Sequence, residues 1–239
     1  MSTKLSSVLA GVSLAASALA ANATIVTVFD AVGTGTASFN STVVAAGGTA
    51  QADTLNGVSS GTSIVRADFT ITKPGNSFLF TTSYGTLTGQ VVDIAPSGSG
   101  SNPGNYINSG ITFTFADEIN AIGFEVGDWG TCCQPSALFI SFDGGAPIQV
   151  GISNNYGDVF YNNKAEVFVA AFDDSGSFST VSFWGNGVGE ALYAGGTIRY
   201  ALLDQGSLPP TGVPEPASLA LVGCGLAGVM FSRRRKQKN

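Results

Sequence analysis

Short runs in which apolar and polar residues alternate occupy most of the chain between residues 24 and 205. At 112–115 and 139–142 such a run places one face of a strand in a core and the other in water, as two packed sheets require. Almost nothing in this region has helical periodicity. The pattern predicts strands at 24–29, 63–71, 77–83, 90–94, 111–115, 121–126, 137–142, 147–152, 167–172, 179–184 and 197–203.

Turn residues separate these runs. Asp143-Gly144-Gly145 predicts a tight hairpin, and 173–177 predicts a longer one. The segment 39–61 is rich in small residues, and we expect it to be irregular or weakly paired. A Pro/Gly linker follows at 206–212. The sequence therefore predicts an all-β, jelly-roll-like β-sandwich ectodomain over 24–205.

The C-terminal end has a different pattern. Val213-Pro214-Glu215-Pro216 leads into an uncharged apolar run, 217–231, which ends at a basic cluster that includes Arg233, Arg234 and Arg235. The prolines keep the approaching chain extended and favour a helix that starts near Pro216. Fifteen residues at about 1.5 Å each reach roughly 22 Å, short of the roughly 30 Å hydrocarbon core. We predict a marginal transmembrane helix at 217–232 with a basic cytoplasmic tail.

The N-terminal end predicts export. Lys4, an apolar stretch over 8–20 and small residues at 21 and 23 are typical of a signal peptide, which we place at 1–23. Signal peptidase would then cleave before Thr24. The body of the protein lies outside the cytoplasm on this interpretation.

Charge is segregated along the chain. Residues 24–212 contain four basic and 15 acidic residues, a formal charge of −11, whereas the whole chain carries −6. Such an acidic ectodomain argues against nucleic-acid binding, which depends on neutralising phosphates with Lys and Arg.

The ordered pattern of Val213-Pro214-Glu215-Pro216, an apolar helix and an Arg-rich end resembles the PEP-CTERM sorting signal of bacterial exosortase substrates. It spans about a tenth of the chain, from Val213 to about Lys236. The resemblance implies a Gram-negative bacterium, export through the inner membrane, and exosortase cleavage near Glu215. It further implies release to the cell surface or an extracellular matrix, commonly with a link to exopolysaccharide.

A second resemblance covers residues 110–200. The order of the segments 111–115, 119–128 and 182–184 is similar to the jelly-roll or lectin-like ectodomains found ahead of PEP-CTERM tails. Those domains often close with an aspartate pair before the last strand, and the corresponding segment 193–200 has none. The departure weakens any calcium site that the resemblance implies.

Catalysis is restricted by what the chain lacks. With no histidine, Ser-His-Asp, Cys-His and His-Glu-x-x-His chemistry are excluded. A pair of carboxylates can still hydrolyse glycosides, but nothing in the sequence fixes a spacing. We expect no catalytic residues; the alternative is a secreted carbohydrate-active enzyme, a glycoside hydrolase or lyase, that draws on Glu118, Glu125, Glu166 or Glu190.

Two adjacent cysteines lie in the ectodomain. Cys132 and Cys133 follow Gly130 and precede Pro135 in a loop. In an oxidising compartment they can pair with each other or with another chain, or stay free, and the sequence leaves these outcomes open. They provide too few ligands for zinc, so no metal site is predicted.

The candidate ligand site is Asp128 with Trp129, supplemented by Tyr156 and Tyr161. An exposed Trp129 would lie flat against a sugar ring while Asp128 accepts hydroxyl hydrogen bonds. In the alternative, Trp129 caps the core at the end of a sheet. No cofactor is expected, although calcium stays open at clustered carboxylates: Asp117 with Glu118, Asp128, Asp143, and Asp173 with Asp174.

These observations predict a non-catalytic, exported cell-surface or matrix protein. Its expected partners are signal peptidase, exosortase, the membrane through the helix at 217–232, and exopolysaccharide.

Overall fold

Two antiparallel β-sheets form the body of the protein. The computed structural model describes residues 24–94, 110–131, 135–154, 166–186 and 191–208. Helix α1 (Val32–Ala45) accompanies the strands, and a 3₁₀ turn covers Pro74–Asn76. The strands are β1 (Ile25–Phe29), β2 (Gln51–Thr54), β3 (Ser63–Val65), β4 (Phe69–Thr72), β5 (Thr81–Thr82), β6 (Val91–Asp93), β7 (Ile111–Ile119), β8 (Ala121–Gly127), β9 (Ser136–Phe142), β10 (Ile148–Ser153), β11 (Val167–Phe172), β12 (Phe178–Gly185) and β13 (Tyr193–Ala201).

The strands divide into two sheets. The first sheet has the order β1-β11-β8-β13-β6-β5, and β2 pairs with the other half of β13. The second sheet has the order β10-β9-β12-β7-β4-β3. All of their pairings are antiparallel. The predicted β-sandwich of mostly β structure is confirmed.

The main core lies between the inner faces of the sheets. Phe124 of the first sheet packs with its ring centroid 5.5 Å from that of Phe113 and 4.9 Å from that of Phe183, both in the second sheet. All three side chains are fully buried. Each buried aromatic side chain stabilises the fold by roughly 1.5 to 3 kcal/mol relative to an exposed one. The alternating pattern of β7 and β12 therefore has the orientation expected from the sequence.

Several predicted strands have different bounds. The predicted strand at 63–71 is in fact β3 and β4, joined by a turn in which Arg66 N–H donates to the Phe69 carbonyl at 2.8 Å. Of the predicted strand at 77–83, Thr81–Thr82 forms the short strand β5, and Leu79 makes an isolated bridge with Gly61. The last strand begins earlier than predicted, at Tyr193.

The two turn predictions have different outcomes. Asp143 and Gly144 both have positive φ, 47° and 71°, and they join β9 to β10 as a tight hairpin. The predicted hairpin at 173–177 is wrong, because this segment carries the chain from β11 in the first sheet to β12 in the second. A run of turn residues signals a reversal but does not say whether the next strand joins the same sheet.

Helix α1 is the main departure from the predicted fold. The expectation of almost no helix is wrong over Val32–Ala45, and so is the expectation of an irregular or weakly paired segment over 39–45. The rest of 39–61 is irregular apart from the short strand β2, which pairs with β13. The helix contains Gly, Ser, Thr and Asn residues of low helical propensity, so its intrinsic preference is weak. It is held by docking, because Gly35, Phe39 and Val43 fall on one buried stripe.

The docked helix packs on Phe168 of β11. The Phe39 ring lies 6.3 Å from the Phe168 ring and stacks at 5.2 Å on Phe172. Glycines make this approach possible, since a Cβ at Gly35 would come within 2.5 Å of Phe168 Cβ. On the sheet beneath, a Cβ at Gly123 would come within 2.6 Å of the Phe168 ring.

The predicted terminal segments lie outside the described residues. These are the signal peptide at 1–23, the helix at 217–232 and most of the linker at 206–212. Within the ranges that the structure describes, no helix is both long enough and apolar enough to cross a membrane.

We predict that Gly35→Ala destabilises the fold while Gly33→Ala does not. The new methyl group at position 35 overlaps Phe168, which should cost about 1 to 3 kcal/mol of unfolding free energy. At Gly33 a Cβ meets nothing within 4 Å, so the gain in helix propensity is retained. Urea unfolding of the two variants measures the difference. Equal unfolding midpoints would contradict the docking described for α1.

Candidate functional site

The outer face of the first sheet has an apolar half and a polar half. Helix α1 covers the apolar half, which includes Phe168, Ala170 and Phe172. In the polar half, Glu125 of β8 points away from the main core, because its neighbours Phe124 and Val126 point into it. The polar half is therefore the part of this outer face where polar side chains can contact a ligand.

A pair of glutamates fastens the loop between β5 and β6 to this polar half. Thr88 donates its backbone N–H to Glu125 Oε2 at 2.7 Å and its hydroxyl to Oε1. Thr86 donates its backbone N–H to Glu166 Oε1 at 2.7 Å and its hydroxyl to Oε2. Each carboxylate thus grips one threonine with both oxygens. We call these two contacts the Glu–Thr clamps.

Glu125 makes a third hydrogen bond because β13 is bulged. The register between β13 and β8 shifts between Gly195 and Arg199, and Gly196 has a φ of 68°, which favours glycine. The bulge brings the Thr197 N–H to 3.2 Å from Glu125 Oε1. With only 1% of its surface exposed, Glu125 is a buried carboxylate whose oxygens are all occupied by protein donors.

A cleft of about 750 Å³ opens beside the clamps, between the start of α1 and the loop. Arg199 lies in this cleft, and its Nη1 is buried without a hydrogen-bond partner among the described residues. Burial lowers the pKa of Arg199, and the charge of Glu125 partly offsets that effect. The cleft is lined by Asp30, Ala31, Val32, Gly33, Thr36, Thr86, Thr88, Glu125, Glu166 and Arg199.

A second cleft, of about 570 Å³, lies near the C-terminal end of β13. Here the Tyr200 hydroxyl donates to Asp68 Oδ2 at 2.5 Å, and the Tyr200 ring packs 5.2 Å from Phe115. Burial, followed by the hydrogen bond to Asp68, raises the pKa of Tyr200. The phenol is therefore a fixed neutral donor near neutral pH, and its contact holds β13 to the β3–β4 turn.

An exposed aromatic pair lies at the edge of the first sheet. Phe78 and Phe80 have 48% and 58% of their surfaces exposed, and their rings meet edge to face at 4.8 Å. Leu79 between them is fully buried. The sequence contains three consecutive apolar residues here, which places apolar side chains on both faces of the predicted strand. It does not show which of the two faces is exposed to water.

The comparisons with known proteins identify the C-terminal end. Residues 212–236 match the family described as the PEP-CTERM protein-sorting motif. The chain carries a PEP-CTERM sorting motif. The match agrees with the resemblance seen at Val213-Pro214-Glu215-Pro216 and Arg233, Arg234 and Arg235, which lie outside the described residues. No curated protein matches the chain.

The β-sandwich ahead of the PEP-CTERM motif is similar to solved carbohydrate-binding modules. A "Carbohydrate binding module family29" structure has 10% identity and a TM-score of 0.37, over 70% of this chain and 98% of that one. A family 29 module complexed with cellulohexaose has 9% identity and a TM-score of 0.35, over 67% and 97%.

The predicted stacking residue is in the core. The expectation of an exposed Trp129 is wrong, because the side chain is fully buried and its Nε1 donates to the Ser136 carbonyl at 3.2 Å. Its ring fits against Gly151, where a Cβ would come within 2.9 Å. The alternative, in which Trp129 caps the core, describes its position. The sequence around Trp129 does not reveal that a glycine on another strand, Gly151, leaves space for its ring.

Asp128 is occupied by neighbouring side chains. It has a φ of 63°, and its Oδ1 accepts the Tyr84 hydroxyl at 2.9 Å and the Thr131 hydroxyl at 2.7 Å. Burial, followed by the hydrogen bond to Asp128, raises the pKa of Tyr84. The remaining predicted site residues, Tyr156, Tyr161, Cys132 and Cys133, lie outside the described residues.

The carboxylates considered for calcium are dispersed. Asp143 accepts the N–H groups of Ser179 and Thr180, and Asp173 accepts the Thr24 and Ser175 hydroxyls. The other candidate carboxylates have separate surroundings. Asp174 accepts the Leu208 N–H, Glu118 accepts the Ser177 hydroxyl, and Asp117 lines the second cleft. Among the residues that the structure describes, no group of three potential ligands could hold a metal ion.

We predict that Glu125→Gln loosens the loop between β5 and β6. A glutamine amide presents N–H groups where two backbone N–H groups need an acceptor, so the fold should lose roughly 2 kcal/mol of unfolding free energy. Hydrogen exchange of the Thr88 and Thr197 amides should accelerate. Glu118→Gln, at an exposed single hydrogen bond, is the matched control. Unchanged exchange at Thr88 would show that the Glu–Thr clamp does not hold the loop.

Proposed function

We propose that this chain is an exported, non-catalytic surface or matrix protein, which exosortase processes at its tail and whose ectodomain associates with exopolysaccharide. The observation that carries the proposal is the PEP-CTERM motif at 212–236, placed directly after a β-sandwich. The signal peptide at 1–23, with its apolar centre, directs export and is removed by signal peptidase.

The tail acts in stages. The helix at 217–232 tethers the chain in the inner membrane of a Gram-negative bacterium, with Arg233, Arg234 and Arg235 held on the cytoplasmic side. Val213, Pro214, Glu215 and Pro216 form the extended segment that exosortase reads. Because the apolar run is too short to span the hydrocarbon core comfortably, it suits a temporary tether. Cleavage near Glu215 then frees the ectodomain for the cell surface or matrix.

The clamps support a non-catalytic role. A retaining or inverting glycosidase needs one carboxyl group that donates a proton and a second that attacks or activates water. Glu125 and Glu166 line one cleft, which is the observation in favour of the alternative, a secreted glycoside hydrolase or lyase. However, both oxygens of each carboxylate already accept hydrogen bonds from threonines. Carboxylates that are already bound to protein donors in this way favour a structural role for this pair.

The described surface also fits an extracellular binding role. The ectodomain carries a formal charge of −11 over 24–212, which keeps copies apart and disfavours polyanionic partners such as nucleic acids. Its clefts contain hydroxyl, carboxylate and guanidinium groups, the kinds of polar group that hold small polar ligands in orientation.

We predict that the mature protein lacks the residues beyond the Val213–Pro216 segment. Intact-mass analysis of protein recovered from the cell exterior should give a chain that starts at Thr24 and ends near Glu215. Replacing Glu215 by Ala should leave the tail attached and the protein in the membrane fraction. Glu118→Ala is the control: it removes a glutamate from the ectodomain, distant in sequence from the tail, and the variant should be processed normally. A mature wild-type protein that keeps Arg233 to Asn239 at full occupancy would contradict the proposed processing.

A further inference from the structure

The exposed pair Phe78 and Phe80 is not used by the core, the Glu–Thr clamps or either cleft. About half of the surface of each phenylalanine is in water, whereas Leu79 between them is fully buried. The alternation is that of a strand with one face inside and one outside. Single exposed apolar residues need no explanation, but two rings in contact at 4.8 Å form a defined surface feature.

This pair continues a row of side chains across the first sheet. Asp93 N–H donates to the Phe80 carbonyl at 2.9 Å, and Asp93 pairs with Tyr193 in the β6–β13 ladder. Residues paired in this way share a face, so Phe80, Asp93 and Tyr193 lie in line on the outer face of the sheet. With strands about 4.8 Å apart, Phe80 and Tyr193 are separated by roughly 10 Å.

The far end of the row is also aromatic. Tyr84 stacks on Tyr193 with ring centroids 4.7 Å apart, and its hydroxyl is fixed on Asp128. Both tyrosines are partly exposed. The row therefore runs from an apolar ring pair, over a carboxylate, to a stacked tyrosine pair. We call the surface formed by Phe78, Phe80, Asp93, Tyr193 and Tyr84 the aromatic row.

The size of the row argues against a stable dimer. A phenylalanine that is half exposed offers on the order of 100 Å², so Phe78 and Phe80 together offer roughly 200 Å² of apolar surface. A stable protein interface needs about 800 Å² from each partner. A formal charge of −11 over 24–212 opposes a second copy further.

The chemistry of the row selects the kind of ligand. Its rings need an apolar face to cover, while the Asp93 carboxylate can accept hydrogen bonds. A sugar ring has an apolar face formed by C–H groups and an edge of hydroxyl donors, and a chain of sugars repeats both along its length. An acidic polysaccharide meets the same repulsion as a second copy of this chain.

We propose that the aromatic row binds a neutral polysaccharide, with sugar rings lying against Phe78 and Phe80 and hydroxyl groups donating to Asp93. This assignment rests on the proposed association with exopolysaccharide and names both its site and the class of glycan. The ligand would lie along the sheet edge, across β5, β6 and β13.

The test is native affinity electrophoresis of the mature protein through gels that contain hydroxyethyl cellulose, galactomannan or polygalacturonate. We expect at least one of the two neutral polymers to retard the wild type, and the acidic polymer not to. The double variant Phe78→Ala/Phe80→Ala should weaken that retardation roughly tenfold, since two contact aromatics are lost. Val44→Ala/Val65→Ala removes two other exposed apolar side chains, 70% and 72% exposed, and should bind as the wild type does.

Further variants and outcomes make the test decisive. Phe80→Tyr keeps an aromatic ring and should retain binding, which separates loss of the ring from loss of the fold. Undiminished retardation of the double alanine variant would overturn the aromatic row while leaving polysaccharide association intact. A wild type that neither neutral polymer retards, or that only polygalacturonate retards, would overturn the choice of a neutral glycan. Dimers that the double variant dissolves, seen by sedimentation, would reassign the row to self-association.

Discussion

The packing of Phe168 between α1 and the first sheet is the contact on which the arrangement of the molecule depends. A sheet whose outer face carries Phe168, Ala170 and Phe172 must be covered, and a helix of weak intrinsic propensity covers it only because glycines at 35 and 123 let the ring fit. The same helix stops short of the polar half of that face. The cleft, the Glu–Thr clamps and the aromatic row all lie in the area that α1 leaves open.

The polar half is ordered by hydrogen bonds where the apolar half is ordered by packing. A buried carboxylate such as Glu125 would be costly without partners, and it has three donors from Thr88 and Thr197. The two Thr88 donors belong to the loop that also carries Tyr84, and Thr197 belongs to β13, which carries Tyr193, so the carboxylate joins the two segments that hold the tyrosine pair. The aromatic row is thereby linked to Glu125, one of the four glutamates that the sequence offers as candidate catalytic acids.

Local patterns in the sequence predicted most of the longer strands and the sorting motif of the tail. Contacts between distant segments determine the rest of the fold. Alternation over 111–115 and 137–142 and the Asp143-Gly144 turn are local signals, as is the ordered motif at 212–236. In contrast, α1 forms because Phe39 meets a phenylalanine 129 positions along the chain. Trp129 is buried because Gly151 makes room for it, and Phe80 is exposed because Leu79 takes the inner side. None of these outcomes can be read from neighbours in sequence.

The central claim is that the open half of the first sheet's outer face is the binding surface of an exported protein, and that the α1 half is structural. Hydrogen-exchange mass spectrometry of the mature protein, with and without the neutral polysaccharide that retards it, tests this directly. We expect protection to rise in peptides that cover 77–94 and 191–195 and to stay unchanged in peptides that cover α1 and the second-sheet strands β9 and β12. Protection confined to α1 or to the second sheet would contradict the account.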